Sequence, residues 1–364
     1  MLVDYQERKK TMGYWNSKNA IDSKAQYKII IGERGNGKSY NMKDYVIKSF
    51  INYGKEFIYL RRYKEDIKNT SVESYFSDMN IEKITNGMYQ AIVAWGGKIF
   101  LSKLENGVLK RSKCMGYYMA LSSWEHLKSS QYPNVETILF EEFTASHKLG
   151  FNLTYLPSES EKLMQLVSTV FRDRLGYVYM IGNTVDRTCP YFFEWQLDFI
   201  PKMKDGESTE ISIPISDTRV VTIYVEKTEN EKNKHSMIFG KVRNVIANGK
   251  WEENEYITIF PKGEIERIYK LYYYERLKFV IELCVDCNTG KLFNFIYPFT
   301  KDNFPKNSRI IQPSYMLLDT SGLHTQNFNF KNKCEKYIYD NIKENYAVYA
   351  SNACGTDFNS LFTL

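Results

Sequence analysis

Nowhere in the chain does an apolar run approach about 18 residues, and that absence argues against a membrane-spanning helix. The segment Met1 to Asn19 carries Lys9 and Lys10 and has no apolar core, so it does not read as a secretory signal. Cysteine is sparse and scattered, with Cys114, Cys189, Cys284, Cys287, Cys334 and Cys354 forming no paired framework. Cys284 and Cys287 have the spacing of metal ligands, but no second ligand pair follows. Reduced, structural thiols are therefore expected. The chain has no internal repeat and no low-complexity tract. Neither sign of charge dominates: a net +6 permits a polyanionic partner without demanding one, because only a clustered basic face is an electrostatic footprint. These absences point to a soluble protein with no membrane partner.

What is present is enough apolar residue, 43%, to fill a core in a chain of 364 residues, longer than one typical domain. From about residue 27 to 200, short apolar runs alternate with helical patterns. Tyr27 to Ile31 is rich in β-branched residues and ends at Gly32. Met42, Tyr45, Val46, Ser49, Phe50 and Tyr53 then recur at helical spacing, with Gly54 as the stop. Phe57–Leu60, Thr137–Phe140 and Tyr177–Ile181 read as further strands. Ser158 and Glu161 have capping-box spacing before Leu163, Leu166, Val167, Val170 and Phe171. Continuous apolar strands alternating with helices predict an α/β fold whose mostly parallel sheet is covered on both faces. Residues 90 to 121 read as a hairpin-rich insertion. The polar stretch Glu226 to Ser236 reads as a linker or exposed loop, and beyond it Phe279–Val285 and Lys291–Tyr297 flank a turn at Asn288-Thr289-Gly290 as a hairpin. The expected division is a first domain over 1–205, a linker region over 206–236 and a smaller α+β domain over 237–364.

Gly32-Glu33-Arg34-Gly35-Asn36-Gly37-Lys38-Ser39 matches G-x-x-x-x-G-K-[ST], with a strand before it and a helix after. Glycines let the backbone wrap so that its N–H groups point at phosphate oxygens, and the helix N-terminus adds positive potential. Lys38 would reach the β- and γ-phosphates of ATP and the Ser39 hydroxyl would bind Mg²⁺. Arg34 would contact phosphate or order the loop, and Tyr40 completes the nucleotide-binding run. By chance alone such a match turns up in roughly one chain in 100 of this length. The strand Ile138-Leu-Phe140 ends in Glu141 and Glu142, which places two carboxylates at the C-terminal edge of the sheet where ligands bind. Glu141 is expected to hold Mg²⁺ and Glu142 to orient or deprotonate the attacking water.

The stretches Ile30–Tyr40, Phe57-Ile-Tyr-Leu-Arg-Arg-Tyr-Lys64 and Tyr132–Phe143, continued by Val170-Phe-Arg-Asp-Arg174, Asn183 and Pro190-Tyr-Phe192, resemble the DNA-packaging ATPases of small phi29-like tailed phages, relatives of the terminase large subunits. The resemblance runs in order over roughly residues 27 to 195 and weakens in the C-terminal third. It implies an ASCE-type P-loop domain and a homomeric, pentameric ring at the portal vertex of a prohead in the host cytoplasm. It also implies ATP-driven movement of double-stranded DNA. The portal or connector is an implied partner, and a packaging RNA is a further candidate.

Carried over by position, Arg172 corresponds to the family's arginine finger acting on a neighbouring subunit, with Arg174 as a weaker candidate. Lys128 matches a second trans-acting cation, and Asn183 sits where a sensor amide would feel the γ-phosphate. Arg61, Arg62 and Lys64 are candidates to grip DNA phosphates without reading bases. The family's second domain resembles an RNase H-like nuclease that has lost its acids. Here Glu282 and Asp286 share a strand, with Asp340 and Asp357 far downstream, and a two-metal nuclease needs such acids to converge. Two alternatives stay open at the level of sequence: a terminase large subunit with a live nuclease, and a protein that uses bound nucleotide to lock an assembly.

Overall fold

The computed structural model describes residues 14–127, 131–145, 155–185, 187, 189–229, 250–251, 256–274, 277–301, 305–311 and 330–361. The chain divides into two compact units, Met1–Glu252 and Glu253–Leu364.

The first unit is built on one nine-stranded sheet. In chain order its strands are β1 (Tyr27–Gly32), β2 (Glu56–Arg61), β3 (Ala91–Trp95), β4 (Lys98–Glu105), β5 (Val108–Ala120), β6 (Val135–Glu141), β7 (Tyr177–Asn183), β8 (Ser208–Ser216) and β9 (Arg219–Lys227). Their order across the sheet is β3-β4-β5-β2-β6-β7-β1-β9-β8. The six strands from β5 to β9 pair in parallel, while β4 and the edge strands β3 and β8 join by antiparallel pairing.

Period-two alternation in the central strands feeds two cores. On one face Ile29, Ile31, Ile58, Leu60, Ile138 and Phe140 pack with Leu163, Leu166 and Val170 of α3 (Glu159–Phe171). On the other, Phe57 and Tyr59 pack with Val46 and Ile47 of α1 (Lys38–Tyr53) and with Val72 and Phe76 of α2 (Asn69–Phe76). With both faces covered, a strand reads as an uninterrupted apolar run, as β1 does. Its one polar member, Lys28, is buried too. The Lys28 ammonium donates to the Tyr179 hydroxyl at 3.0 Å and lies over the rings of Tyr177 and Tyr179. Burial pulls its pKa down to about 8, against an upward pull from Glu210.

Three local expectations change. Residues 208–227, expected to open a linker, form the β8–β9 hairpin, and β9 pairs along β1. Ile223 and Val225 sit in the core; of the polar stretch Glu226 to Ser236 that suggested a linker, Glu226 and Lys227 end β9, and residues 230–236 fall outside the described residues. The hairpins of residues 90–121 are not a separate insertion, because Gly116–Ala120 of β5 pairs in parallel with β2 and extends the main sheet. Ser158 makes no side-chain cap. Its backbone is left-handed (φ 50°), and the carboxylate serving that turn is Glu159, which accepts from Leu156 N at 2.8 Å.

The second unit holds a five-stranded mixed sheet in the order β13-β10-β11-β12-β14. These strands are β10 (Ile265–Tyr274), β11 (Lys278–Asp286), β12 (Leu292–Pro298), β13 (Ile310–Ile311) and β14 (Ala347–Tyr349), with α5 (Lys333–Lys343) before β14 and α6 (Asn352–Ser360) after it. Between β7 and β8 in the first unit lies the short helix α4 (Pro190–Glu194). β11 and β12 are the expected hairpin. Among the described residues, no helix is long and apolar enough to cross a membrane.

Candidate nucleotide site

The loop between β1 and α1 turns back over the end of the sheet. Gly35 and Gly37 take left-handed backbone, with φ of 75° and 90°, which L side chains rarely adopt. Gly37 is the residue before α1, so the unpaired N–H groups of the first turn face outward from the loop, as an anion site requires. Above them lies a cleft of 340 Å³, within the range of ligand pockets, whose lining includes Arg34, Lys38, Ser39, Glu141, Glu142 and Asn183. Gly35, Asn36, Gly37 and Tyr40 also face it, whereas Gly32 and Glu33 do not line it. A Cβ on Gly32 would stand 1.8 Å from Thr228 Oγ1, so only glycine fits where β9 ends against the loop.

Lys38 is buried, its ammonium donating to Gly32 O at 3.1 Å, Glu33 O at 2.7 Å and Asn36 Oδ1 at 3.2 Å. Asn183 Oδ1 lies 3.5 Å from the same nitrogen, because β7 pairs with β1 so that Asn183 stands opposite Gly32. Thr144 fixes Asn183 by accepting from its N–H at 3.0 Å and donating to its carbonyl at 2.9 Å.

Ser39 Oγ donates to Glu141 Oε2 at 3.0 Å, while Tyr75 OH donates to Glu141 Oε1 at 2.6 Å. The Tyr75 ring stacks on Tyr59 at 4.4 Å. Burial raises the pKa of Glu141, and the bonds from Tyr75 and Ser39 oppose that rise. A buried carboxylate beside a hydroxyl is a hard oxygen donor set, and it fits Mg²⁺, which keeps most of its waters and takes few protein ligands.

Glu142 turns the chain sharply after β6, with a left-handed φ of 56°. Its Oε2 accepts from Arg61 Nη2 at 2.7 Å, and Asp66 lies 4.0 Å from the same nitrogen. Arg62 is buried: its Nε pairs with Glu159 Oε2 at 2.7 Å, and its other nitrogens donate to the carbonyls of Glu142 and Phe143. Tyr191 OH donates to the second Glu159 oxygen at 2.9 Å. The structure thus places Arg61 and Arg62 on carboxylates and main chain beside the cleft. Lys64 is exposed at the next turn.

Arg172 and Arg174 separate into two roles. Arg174 donates to the carbonyls of Tyr132, Pro133, Val135 and Val170, which spends its guanidinium on holding the α3–β7 turn against the start of β6. Arg172 is exposed at the cap of α3 in a left-handed conformation (φ 51°) and has no side-chain partner among the described residues. The 13 residues of α3 place it a helix length from the Glu141 end of the sheet, about 20 Å. It cannot reach the phosphates of its own chain. Lys128 lies outside the described residues.

Sequence motifs gave no warning of Tyr75, Thr144 or Thr228, nor of Tyr14, Lys43 and Asp78, which complete the cleft. They come from separate elements and meet only through sheet order.

The model of the podovirus DNA encapsidation protein (Gp16) family matches residues 9–251. The DNA packaging protein of Bacillus phage phi29 is 35% identical over 185 residues, 50% of this chain and 50% of that protein. That of Bacillus phage B103 is 37% identical over 165 residues, 45% of this chain and 46% of its own. The chain thus spans about half the length of the curated relatives it matches. Among solved structures, the bacteriophage Phi-29 viral genome packaging motor assembly superposes with a TM-score of 0.52 at 23% identity, covering 96% of this chain and 99% of that one. The Phi-28 gp11 DNA packaging motor gives 0.51 at 19%, covering 97% and 99%. At these identities the two structures speak for the fold.

Proposed function

The chain belongs to the podovirus DNA encapsidation protein (Gp16) family, and from that premise we propose that it is an ATP-driven motor moving double-stranded phage DNA into a prohead. The observation that carries the reading is the convergence of Lys38, Asn183, Ser39 and Glu141 on one cleft at the mouth of the phosphate loop. The loop amides and Lys38 bind the triphosphate, and Lys38 exchanges its carbonyl partners for phosphate oxygens. Asn183 reports the γ-phosphate through its contact with Lys38. Ser39 and Glu141 would hold Mg²⁺, which would supply charge neutralisation at the phosphates.

Glu142 orients the attacking water and accepts its proton, but only after its carboxylate leaves Arg61. Arg62 fixes the Glu142 backbone while that side chain moves. Arg172, out of reach of its own cleft, serves the cleft of the next copy in a homomeric ring, pentameric in the resemblance, and stabilises the charge that develops there. The ring would sit at the portal vertex of the prohead in the host cytoplasm, with the portal and a packaging RNA as partners. The reading includes an ASCE-type core, which the parallel strand order β2-β6-β7-β1 supports.

The second unit is read as an RNase H-like module that docks rather than cuts. The meander β10-β11-β12 followed by β13 parallel to β10 supports the likeness, and β14 beside β12 departs from it. Glu282 is neutralised by Lys270 at 2.7 Å and Arg267 at 3.2 Å, and Asp286 is spent on the Asn288–Thr289 turn. Among the described residues no three acids, histidines or cysteines gather for a metal. The deciding experiment is steady-state ATP hydrolysis with and without duplex DNA. Stimulation by DNA, abolished in Lys38→Ala, is expected; nucleotide binding with no turnover under any condition would mark a static assembly protein instead.

A further inference from the structure

The ribbon formed by the outer halves of β4 and β5 carries a cluster of cations that hydrolysis leaves unused. Every residue from Lys103 to Lys113 is exposed, so beyond Ser102 the two strands project with both faces in solvent. A bare two-stranded ribbon is marginally stable in water. This one is closed by Asn106-Gly107, both with positive φ, the turn whose twist suits a tight hairpin.

From Lys98 to Lys113 the chain carries Lys98, Lys103, Lys110, Arg111 and Lys113 against the single carboxylate of Glu105, a net +4 on a protein whose total is +6. Lys103 and Lys110 are direct cross-strand partners. Like charges so placed, with Cβ atoms about 5 Å apart, oppose pairing, and Glu105 at 3.0 Å from Lys110 offsets only one of them. On the alternate face Arg111 pairs across with Ser102. Its guanidinium lies 4.2 Å from the Trp95 ring centre and 5.8 Å from that of Phe100. Among the described residues no carboxylate pairs with Lys103, Arg111 or Lys113. Trp95 itself is 59% exposed.

We propose that this ribbon grips the phosphate backbone of duplex nucleic acid; the proposal deepens the motor reading and rests on it for the partner. Unpaired cations on both faces suit a polyanion that flanks the ribbon on two sides. A two-stranded ribbon is also a shape that the major groove, about 12 Å wide, admits. An anion between Lys103 and Lys110 removes the repulsion that the free ribbon carries. The guanidinium resting on Trp95 is oriented beforehand and loses little freedom on contact. Such contacts hold the backbone without reading sequence, which is what translocation through every sequence of a genome demands.

The test uses the full-length protein with a non-hydrolysable ATP analogue and duplexes of about 30 base pairs, one DNA and one RNA, titrated between about 50 and 200 mM salt. The variant carries Lys103→Gln, Lys110→Gln, Arg111→Gln and Lys113→Gln, all at exposed positions. Its affinity is expected to fall at least about tenfold at low salt, and its salt slope to shrink by about 3, with binding of the analogue unchanged. Trp95→Leu is expected to weaken binding about threefold by releasing Arg111. The loss appearing with the DNA duplex, alone or together with the RNA duplex, supports the ribbon as a grip on the backbone; its appearing with RNA alone overturns the grip on DNA and assigns the ribbon to an RNA partner. Equal affinity and slope in parent and variant overturn the proposal while the motor reading stands. If only self-association of the variant changes, the ribbon joins copies of the chain and the proposal fails. A parent that binds no duplex at all removes both readings.

Discussion

Tyr75 decides which oxygen of Glu141 is left for the cleft. A glutamate has one more rotatable bond than an aspartate, and an unbraced carboxylate at the end of β6 would sample several positions. With Tyr75 OH on Oε1 and the Tyr75 ring stacked on Tyr59, Oε2 stays beside Ser39. Tyr75→Phe keeps the stacking and removes the bond, so magnesium should assist nucleotide binding roughly tenfold less well, the size of one hydrogen bond to a charged group. Calorimetry of nucleotide binding with and without the metal measures this directly.

Lys28 offers a second test at the same scale. Its pKa of about 8 in the fold lies below the ordinary lysine value, so between pH 8 and about 10.5 the unfolded chain holds a proton that the native chain has lost. Stability from this group therefore rises with pH across that window. Lys28→Met should be more stable than the parent at pH 7, with the gap closing toward pH 10. Denaturation midpoints at the two ends of the window check it, and a gap that does not move with pH would rule titration out.

At the scale of elements, the α3–β7 turn is a pedestal. Four carbonyls from the turn before β6 and the end of α3 converge on Arg174, and the exposed Arg172 stands two residues away. Arg174→Ala should cost about 1–3 kcal/mol, since hydrogen bonds to a charged group are lost and their acceptors left unpaired. Amide exchange should quicken around residues 132–135 and 170–176, and hydrolysis should fall further than nucleotide binding does. The elements themselves were legible where one physical signal governed them. β1, β2, β6, β7 and α1 announce themselves by apolar runs, helical spacing and Gly54, which closes α1 with φ 69°. Even there the stripe was imperfect, for Tyr53 is 74% exposed while Lys43 is buried.

Where two signals competed, the sequence misled. β8 is an edge strand of exposed and half-buried residues, and the charge run that begins at the end of β9 resembled a linker. Arg61 and Arg62 stand side by side at the end of β2, and the sequence does not show what they touch. Their carboxylate partners, Glu142 and Glu159, are some 80 to 100 positions away and become neighbours only because β2 and β6 are adjacent. Local pattern holds no trace of that.

For the whole molecule, the family match ends at residue 251 and the first compact unit at Glu252, so the resemblance covers one folding unit almost entirely. The placement of Arg172 then predicts an outcome no single chain can show. Lys38→Ala and Arg172→Ala should each lower DNA-stimulated hydrolysis by about 10³ or more. Mixed in equal amounts, they should recover part of it, because an intact phosphate loop in one copy meets an intact arginine from the next. No recovery on mixing, with assembly intact by sedimentation, would remove Arg172 from the neighbour's cleft.

The contact of Gly32 with Thr228 reaches further than the site. A methyl group at position 32 has room only if position 228 has already lost its hydroxyl-bearing branch. Drift at position 32 is barred until 228 has shed that branch, whereas Gly32 sets no such bar on 228, so in descendants of this chain the change at 228 should come first.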